Sequence, residues 1–225
     1  MINDDIDVHG SYYRLFRQEL IPFLRGCRGS VLDVGCGSGE LLKHLKRNGA
    51  ARTIAVEMRA DVAEGLRQSE LIDEVQSLDI ETEDLHLEEA SLDAIVVSHV
   101  LEHMVNPWKV LRTLRRYLKD DGILVGAIPN VRHIAVSGSL ILKGRWRYHD
   151  SGILDATHLR FFTRDTIRQL LESSGFAVQT LAPEISGPRA TLISKLSLHA
   201  LDDLVAYAYN FRCSKANHAV GEPPI

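Results

Sequence analysis

The feature that most constrains the fold is an apolar run that ends in closely spaced glycines, VLDVGCGSG at residues 31–39. The run has the composition of a buried strand, and leucines at helical spacing follow it. Gly35, Gly37 and Gly39 let the chain turn sharply off the strand and let a ligand approach bare backbone. The free amides at the start of the next helix favour a polar ligand there. The unit therefore predicts an α/β fold with a ligand site at the glycine turn.

The rest of the 225 residues repeats this alternation of short apolar runs and segments of helical period. Strands that cross over through helices form parallel sheets, so we predict a doubly wound sheet. The predicted strands span residues 30–34, 52–56, 74–78, 92–98, 122–128, 176–181 and 204–213. No Pro/Gly/Ser-rich linker interrupts the chain, which predicts a single domain. Its predicted parts are an amino-terminal helical cover (1–29), a cofactor-binding core (30–128), a substrate or lid insertion (129–162), a carboxyl-terminal helix with strands (163–215) and a frayed tail (216–225).

Composition argues against several classes of protein. Lys and Arg number 26 against 30 Asp and Glu, a net charge of −4, so no chain-wide positive field attracts nucleic acid. The longest nearly apolar stretch, residues 134–142, is far shorter than the ~20 residues of a membrane span. Residues 1–10 are acidic and lack the features of a signal peptide, so we expect a cytoplasmic protein. The three cysteines form no CxxC pair and no cluster has metal-ligand spacing, so neither a disulfide nor a metal site is predicted.

An acidic residue follows the second predicted strand. Glu57 stands where a carboxylate of a doubly wound sheet accepts hydrogen bonds from ribose hydroxyls, and we expect it to reach solvent. A glycine turn alone often only ends a strand, and a lone glutamate is often a surface residue, but the two together favour a nucleoside ligand. The third glycine comes one residue earlier than in the dinucleotide pattern GxGxxG, which disfavours a nicotinamide cofactor. A nicotinamide-dependent oxidoreductase stays open as an alternative.

Two segments carry a family resemblance. VLDVGCGSG resembles motif I of the class I S-adenosylmethionine-dependent methyltransferases, and SLDAIVVSHVLEHM resembles their motif IV. The resemblance implies a Rossmann-like sheet of seven mostly parallel strands. It also implies S-adenosylmethionine as cofactor and S-adenosylhomocysteine as product.

The same resemblance implies cofactor contacts residue by residue. It places the glycine loop near the methionine end of the cofactor, Glu57 on the ribose and Met58 beside the adenine. Asp79 and Ile80 match the pair that flanks the adenine ring, although an aspartate here can also simply start a turn. The end of the fourth strand opens beside the sulfonium. The expected cofactor-binding residues are Asp33, Gly35, Cys36, Gly37, Gly39, Glu57, Met58, Asp79, Ile80, Ser98 and His99, with Tyr13 from an amino-terminal helix that either covers the cofactor or packs on the core.

Residues 129–162 are predicted to form the acceptor side, because they follow the fifth strand at the ligand edge of the sheet. Residues 143–164 hold five basic and two acidic residues, which favours an anionic acceptor, although a basic solvated surface explains the same pattern. PNVRH, GRW and GILDATHLRFFT resemble a subgroup linked to sugar, nucleotide-sugar and surface-polysaccharide biosynthesis, and in part MetW-like proteins. This resemblance implies a sugar-like acceptor. The expected acceptor contacts are Asn130, Arg132, Arg145, Trp146 and Arg160.

Methyl transfer is an in-line displacement that mainly needs alignment of the acceptor with the methyl carbon. A hydroxyl acceptor must also lose a proton, and His133 and His158 are the candidate general bases. Asp155 precedes His158 by about one helical turn and would orient its ring, while a structural role for either histidine stays open. An amine acceptor and a non-catalytic, methyltransferase-like partner protein are the remaining alternatives.

Overall fold

Seven strands form one sheet in the computed structural model, which describes residues 16–216. They are β1 (Ser30–Val34), β2 (Arg52–Val56), β3 (Glu74–Gln76), β4 (Leu92–Ser98), β5 (Leu118–Pro129), β6 (Phe176–Glu184) and β7 (Ala208–Lys215). Their order is β3-β2-β1-β4-β5-β7-β6, and every pair is parallel except those that β7 makes with β5 and β6. The prediction of a doubly wound, mostly parallel seven-stranded sheet is confirmed.

Helices cover both faces of this sheet. They are α1 (Glu40–Arg47), α2 (Ala60–Arg67), α3 (Pro107–Tyr117), α4 (Ile134–Lys143), α5 (Arg164–Ser173), α6 (Pro188–Leu196) and α7 (Asp202–Val205), with 3-10 helices at Gln18–Leu24 and Leu101–His103. The leucines of α1 and α2 pack on one face, where Val31 of β1 lies, while α3 and α5 pack on the other face with Leu32 and Val34. Side chains alternate along a strand, so β1 contributes to both apolar layers. None of the helices within residues 16–216 is long and apolar enough to cross a membrane.

Some strand bounds differ from the expectation. β5 begins at Leu118 rather than at residue 122, because Leu118 pairs with Leu92 across a register shift that the polar residues 119–121 conceal in the sequence. β3 ends at Gln76 rather than at 78, and β6 continues to Glu184 rather than ending at 181. The last strand begins at 208 rather than 204, because residues 202–205 form the short helix α7 instead.

The predicted insertion, residues 129–162, contains the helix α4, which the sequence analysis did not foresee. Only Val136 of this helix is buried, so the segment lacks the apolar stripe that marks most helices. His133 caps its amino terminus, and Gly144 ends it with φ 59°. Val136 then packs with Ile153 and Leu154 in a small apolar cluster beneath the rest of the insertion.

Candidate functional site

The site lies at the edge of the sheet where the carboxyl ends of β1, β2, β4 and β5 meet. β1 is central, with β2 on one side and β4 on the other. The chain therefore adds strands first on one side of β1 and then on the other, and the strand order reverses at β1. Ligands of doubly wound sheets bind in the crevice that this reversal opens.

The glycine loop after β1 has a backbone that only glycine adopts readily. Gly35, Gly37 and Gly39 have φ values of 65°, 54° and 72°, in the left-handed region. The Gly35 amide donates to the carbonyl of Val56 at 2.8 Å, which holds the loop against the end of β2. A Cβ on Gly35 would stand 2.7 Å from Cγ2 of Val100. The loop therefore touches the segment that follows β4, and no side chain fits between them.

Glu57 fastens the same loop from the other side. Its Oε2 accepts from the amide of Gly37 at 3.1 Å, and its Oε1 accepts from the amide of Arg59 at 3.0 Å. The residue is only 6% exposed, so the expectation that it reaches solvent is wrong: two backbone donors hold the carboxylate inside. Each carboxylate oxygen keeps a further lone pair. The ribose contact stays a prediction, but Glu57 also has a structural role that the sequence did not indicate.

Asp33 is a buried acid at the end of β1. Burial raises its pKa to about 7. The nearby Arg17 guanidinium partly opposes this rise, and the Glu57 carboxylate adds to it. Arg17, next to the 3-10 helix Gln18–Leu24, is therefore a basic residue near the site that the sequence analysis missed. Tyr13, the residue proposed instead, lies outside the described residues. Burial also raises the pKa of the Cys36 thiol well above its usual range.

The predicted adenine contacts follow β2 and β3. Met58 is 68% exposed, whereas Ile80 is buried. The carboxylate of Asp79 accepts from the amide of Glu81 at 2.9 Å and from the hydroxyl of Thr82 at 3.1 Å. Asp79 thus starts a turn, as the alternative interpretation allowed, and its contact with adenine stays a prediction.

The end of β4 carries polar side chains without ordinary partners. The hydroxyl oxygen of Ser98 is buried and has no hydrogen-bond partner. His99 has φ 55°, an uncommon backbone for a residue other than glycine, and its amide donates to the carbonyl of Ala127 at 2.9 Å. Its Nδ1 lies 3.3 Å from Oε1 of Glu102. Strained backbone with unpaired polar atoms is typical of a functional site.

Glu102 links this strand end to the insertion. Its backbone carbonyl accepts from the amides of both Leu159 and Arg160 at 2.9 Å. These bonds bring His158 beside the Glu102 carboxylate, with Nε2 of His158 4.0 Å from Oε1 of Glu102. The rings of His103 and His158 meet edge to face with centroids 4.7 Å apart. The sequence does not indicate this grouping, because Glu102 and His103 lie far from His158 in the chain.

The two candidate bases have different surroundings. His158 is buried, which lowers its pKa, and its Nδ1 lies 3.0 Å from the carbonyl of Ile153. That carbonyl orients the ring, so the expectation that Asp155 does so is wrong. His133 Nδ1 accepts from the amide of Ala135 at 3.2 Å, which makes His133 the cap of α4, and partial burial lowers its pKa. The catalytic roles of both histidines stay predictions.

Asn130 is not available to an acceptor. It is fully buried, and its amide nitrogen donates to the carbonyls of Asp203 and Ala206 at 2.8 Å and 2.9 Å. Its side-chain oxygen accepts from the amide of Arg132. The expected substrate contact is therefore corrected to a structural one, in which Asn130 joins the end of β5 to α7. The Arg132 guanidinium pairs with Asp203 at 3.0 Å at the same junction.

The remaining predicted acceptor residues lie on the outer part of the insertion. Arg160 donates from Nη2 to the carbonyl of Val105 at 2.6 Å and stands over the ring of Trp108, so it fastens the insertion to the segment after β4. Arg145 is exposed, and the Trp146 ring meets Phe161 edge to face at 5.1 Å. Arg160 thus holds the insertion against the segment after β4, while the acceptor contacts of Arg145 and Trp146 stay predictions.

Known proteins are similar to this chain in sequence and fold. A sequence profile described as a methyltransferase domain matches residues 9–181. Similar curated proteins include the ubiquinone biosynthesis O-methyltransferases of Neisseria meningitidis (29% identical over 126 residues, 52% of this chain and 53% of that protein) and Xanthomonas oryzae (33% over 168 residues, 68% and 66%). The human mitochondrial protein of that name is 28% identical over 166 residues, 70% of this chain and 44% of that protein. The matched regions span between 44% and 66% of the length of these relatives.

Solved structures share the architecture. They include S-adenosylmethionine-dependent methyltransferases from Mesorhizobium loti (TM-score 0.60, 18% identity, 87% of this chain and 97% of that chain) and from Archaeoglobus fulgidus (TM-score 0.59, 20% identity, 92% and 93%). At these identities the likeness shows the fold alone, which is the class I methyltransferase fold. The profile match covers most of the chain, so the chain belongs to the methyltransferase domain family. S-adenosylmethionine is the cofactor that this membership implies.

Proposed function

We propose that the protein transfers a methyl group from S-adenosylmethionine to a hydroxyl oxygen of a small acceptor. The observation that carries the proposal is the contact between Gly35 and Val100, which sets the cofactor loop directly beside the polar cluster after β4. A cofactor on the loop would present its methyl group toward Ser98, His99 and Glu102.

The chemistry requires alignment and the loss of one proton. The acceptor oxygen attacks the methyl carbon in line with the sulfur, and the carbon–sulfur bond breaks with its electron pair on sulfur. S-adenosylhomocysteine is the leaving group, and the hydroxyl proton passes to a base on the acceptor side. The cluster of Glu102, His103 and His158 supplies proton-accepting and oxygen-orienting groups on the acceptor side of the loop.

The curated relatives support oxygen rather than nitrogen as the acceptor atom, because their names are those of O-methyltransferases. Those names also favour a phenolic acceptor, and Trp146, Tyr148 and Phe161 offer aromatic faces on the insertion. A sugar hydroxyl, implied by the resemblance of the insertion to sugar-modifying methyltransferases, is the second candidate. The exposed arginines of residues 143–147 support an anionic group on either acceptor.

The test combines purified protein, S-adenosylmethionine and three sets of acceptors: catechols with and without a carboxylate, nucleotide sugars, and amino sugars. Formation of S-adenosylhomocysteine is measured, and the methylated product is identified by mass spectrometry. O-methylation of a catechol or a nucleotide sugar supports the proposal and chooses between its two acceptors. N-methylation of an amino sugar contradicts it. Cofactor binding without turnover on any acceptor favours the non-catalytic partner instead.

A further inference from the structure

Three metal-ligand side chains meet beside the end of β4: Glu102, His103 and His158. A carboxylate oxygen of Glu102 and one ring nitrogen of each histidine lie within 4.8 Å of one another, and Glu102 and His158 are buried. Ligands on one ion with bonds of ~2.1 Å stand at most ~4.2 Å apart, so small side-chain rotations bring all three to a single ion.

The Glu102 carboxylate lacks the partners that burial demands. The residue is 1% exposed, and neither of its carboxylate oxygens has a hydrogen-bond partner. The nearest nitrogens are His99 Nδ1 at 3.3 Å and His158 Nε2 at 4.0 Å from Oε1, and each would form an ion pair with the carboxylate only if its ring were protonated. A buried charge without donors is costly, and a bound cation removes that cost.

The histidines have the orientation of metal ligands. Nδ1 of His158 faces the carbonyl of Ile153, which can only accept, so Nδ1 carries the proton and Nε2 keeps its lone pair toward Glu102. Nδ1 of His103 lies 3.1 Å from the hydroxyl of Thr157, and that hydroxyl donates to Asp155 at 2.6 Å. His103 therefore also donates from Nδ1 and keeps Nε2 free. Metal-binding histidines are held in this way, with the second nitrogen donating to a carbonyl or a hydroxyl chain.

From this geometry we propose that Glu102, His103 and His158 bind one divalent transition-metal ion. Two imidazoles and one carboxylate suit Zn²⁺, Mn²⁺ or Fe²⁺ better than Mg²⁺ or Ca²⁺, which prefer oxygen ligands. The backbone bonds from Leu159 and Arg160 to Glu102 fix the insertion that carries His158, so the ligand set is assembled before an ion binds.

The inferred ion has a place in the proposed methyl transfer, and this part rests on that function. Three protein ligands leave coordination positions for an acceptor oxygen. A bound ion would make a coordinated hydroxyl release its proton to water more readily, and the acceptor oxygen would attack the methyl carbon while the carbon–sulfur electron pair moves to sulfur. With an ion bound, His158 would be a ligand rather than a proton acceptor, and water would take the place of the cluster as the base.

Direct titration tests the site without reference to activity. The purified full chain is stripped with a chelator, and Zn²⁺, Mn²⁺ and Mg²⁺ are titrated separately by calorimetry. The variants are Glu102→Gln and His158→Gln, with His86→Gln as the matched control, because His86 is an exposed histidine outside the cluster. Thermal unfolding and S-adenosylhomocysteine binding are measured on every variant to confirm that the fold and the cofactor site persist.

The proposal predicts one Zn²⁺ or Mn²⁺ per chain, with affinity at least ~10-fold lower in either cluster variant and unchanged in the control. Absence of stoichiometric binding, or equal affinity in all variants, overturns it. If the cluster variants unfold, the visible spectrum of Co²⁺ bound to the unaltered chain decides: intense ligand-field bands support the site, and the spectrum of hydrated Co²⁺ overturns it. Metal binding can fail while cofactor binding and turnover persist, so this outcome leaves the proposed function standing.

Discussion

The backbone of Gly35 lies against the side chain of Val100, so close that a Cβ on the glycine would stand 2.7 Å from Cγ2 of the valine. Gly35 belongs to the loop after β1, and Val100 lies between His99 and the buried Glu102. One van der Waals contact thus sets the distance between the predicted cofactor loop and the acceptor cluster. A substitution that removes or crowds the Gly35–Val100 contact is expected to change both cofactor affinity and the free energy of unfolding.

Gly35→Ala is expected to destabilise the protein and weaken S-adenosylhomocysteine binding. A left-handed φ costs a non-glycine residue ~1–2 kcal/mol, and the clash with Val100 adds to it. Gly49→Ala is the matched control, since Gly49 also has a positive φ, 97°, but open space where its Cβ would go. Urea unfolding compares the two. Equal destabilisation of both variants would show that the Val100 contact is unimportant, and recovery in Gly35→Ala/Val100→Ala would confirm it.

Glu57→Gln is expected to weaken S-adenosylhomocysteine binding by roughly tenfold or more, since hydrogen bonds to a charged carboxylate contribute ~1.5–3 kcal/mol. The amide side chain keeps the volume but has one acceptor oxygen, so one of the two amides, that of Gly37 or of Arg59, loses its acceptor and the free energy of unfolding should fall somewhat. Glu57→Ala should lower the free energy of unfolding further, because both amides lose their acceptors. Calorimetric titration and urea unfolding separate these effects. Unchanged affinity in Glu57→Gln would contradict the ribose contact.

The raised pKa of Asp33 makes cofactor binding depend on pH. S-adenosylmethionine carries positive charges, so it favours the ionised carboxylate, and its affinity should rise by up to ~10-fold per pH unit until pH passes the pKa of about 7. Asp33→Asn should bind more weakly at high pH and show no such slope. Calorimetry between pH 5.5 and pH 8 measures both proteins. A pH-independent affinity in the unaltered protein would show that Asp33 does not face the cofactor.

The same pKa predicts how stability without cofactor varies with pH. The folded pKa of about 7 lies above the ordinary 3.8, so the folded state retains a proton that the unfolded state has lost between these values. The free energy of unfolding contributed by Asp33 is therefore largest below about pH 4 and declines as pH rises to about 7. Asp33→Asn should flatten this decline. A decline of equal size in the variant would assign it to other groups.

Asn130→Ala is expected to cost ~2–4 kcal/mol of stability, because it leaves buried carbonyls and an amide without partners. Cofactor affinity should change little, since the Asn130 side chain bonds to the α7 segment and not to the glycine loop. Urea unfolding and titration of S-adenosylhomocysteine provide the two readouts. Unaltered stability combined with lost turnover would restore the substrate contact expected from the sequence.

The sequence predicted the sheet and the cofactor edge because these depend on local pattern. A buried apolar strand followed by glycines that adopt a left-handed φ, such as Gly35 and Gly37, is recognisable from a few consecutive residues. Burial of Glu57 could not be foreseen, because it depends on donors from a loop that folds back from another strand. The cluster at Glu102 and His158 was missed for the same reason: backbone bonds across the chain, and not spacing, bring the two together.

The acceptor contacts were the least predictable part of the site. Asn130 and Arg160 have side chains of the kind that often bind ligands, yet both donate their hydrogen bonds to backbone carbonyls of the protein itself. Only the fold shows which polar groups the chain itself already satisfies. The helix α4 escaped prediction because its solvent-facing side is as apolar as its buried side, with Ile141 and Leu142 about four-fifths exposed.

The most direct test of the account is calorimetric titration of S-adenosylhomocysteine into the purified chain, with NAD as the control ligand and Glu57→Gln as the control protein. We predict saturable binding of one S-adenosylhomocysteine per chain, no binding of NAD, and clearly weaker binding by the variant. Absence of S-adenosylhomocysteine binding, or preferential binding of NAD, would contradict a methyltransferase site at the glycine loop.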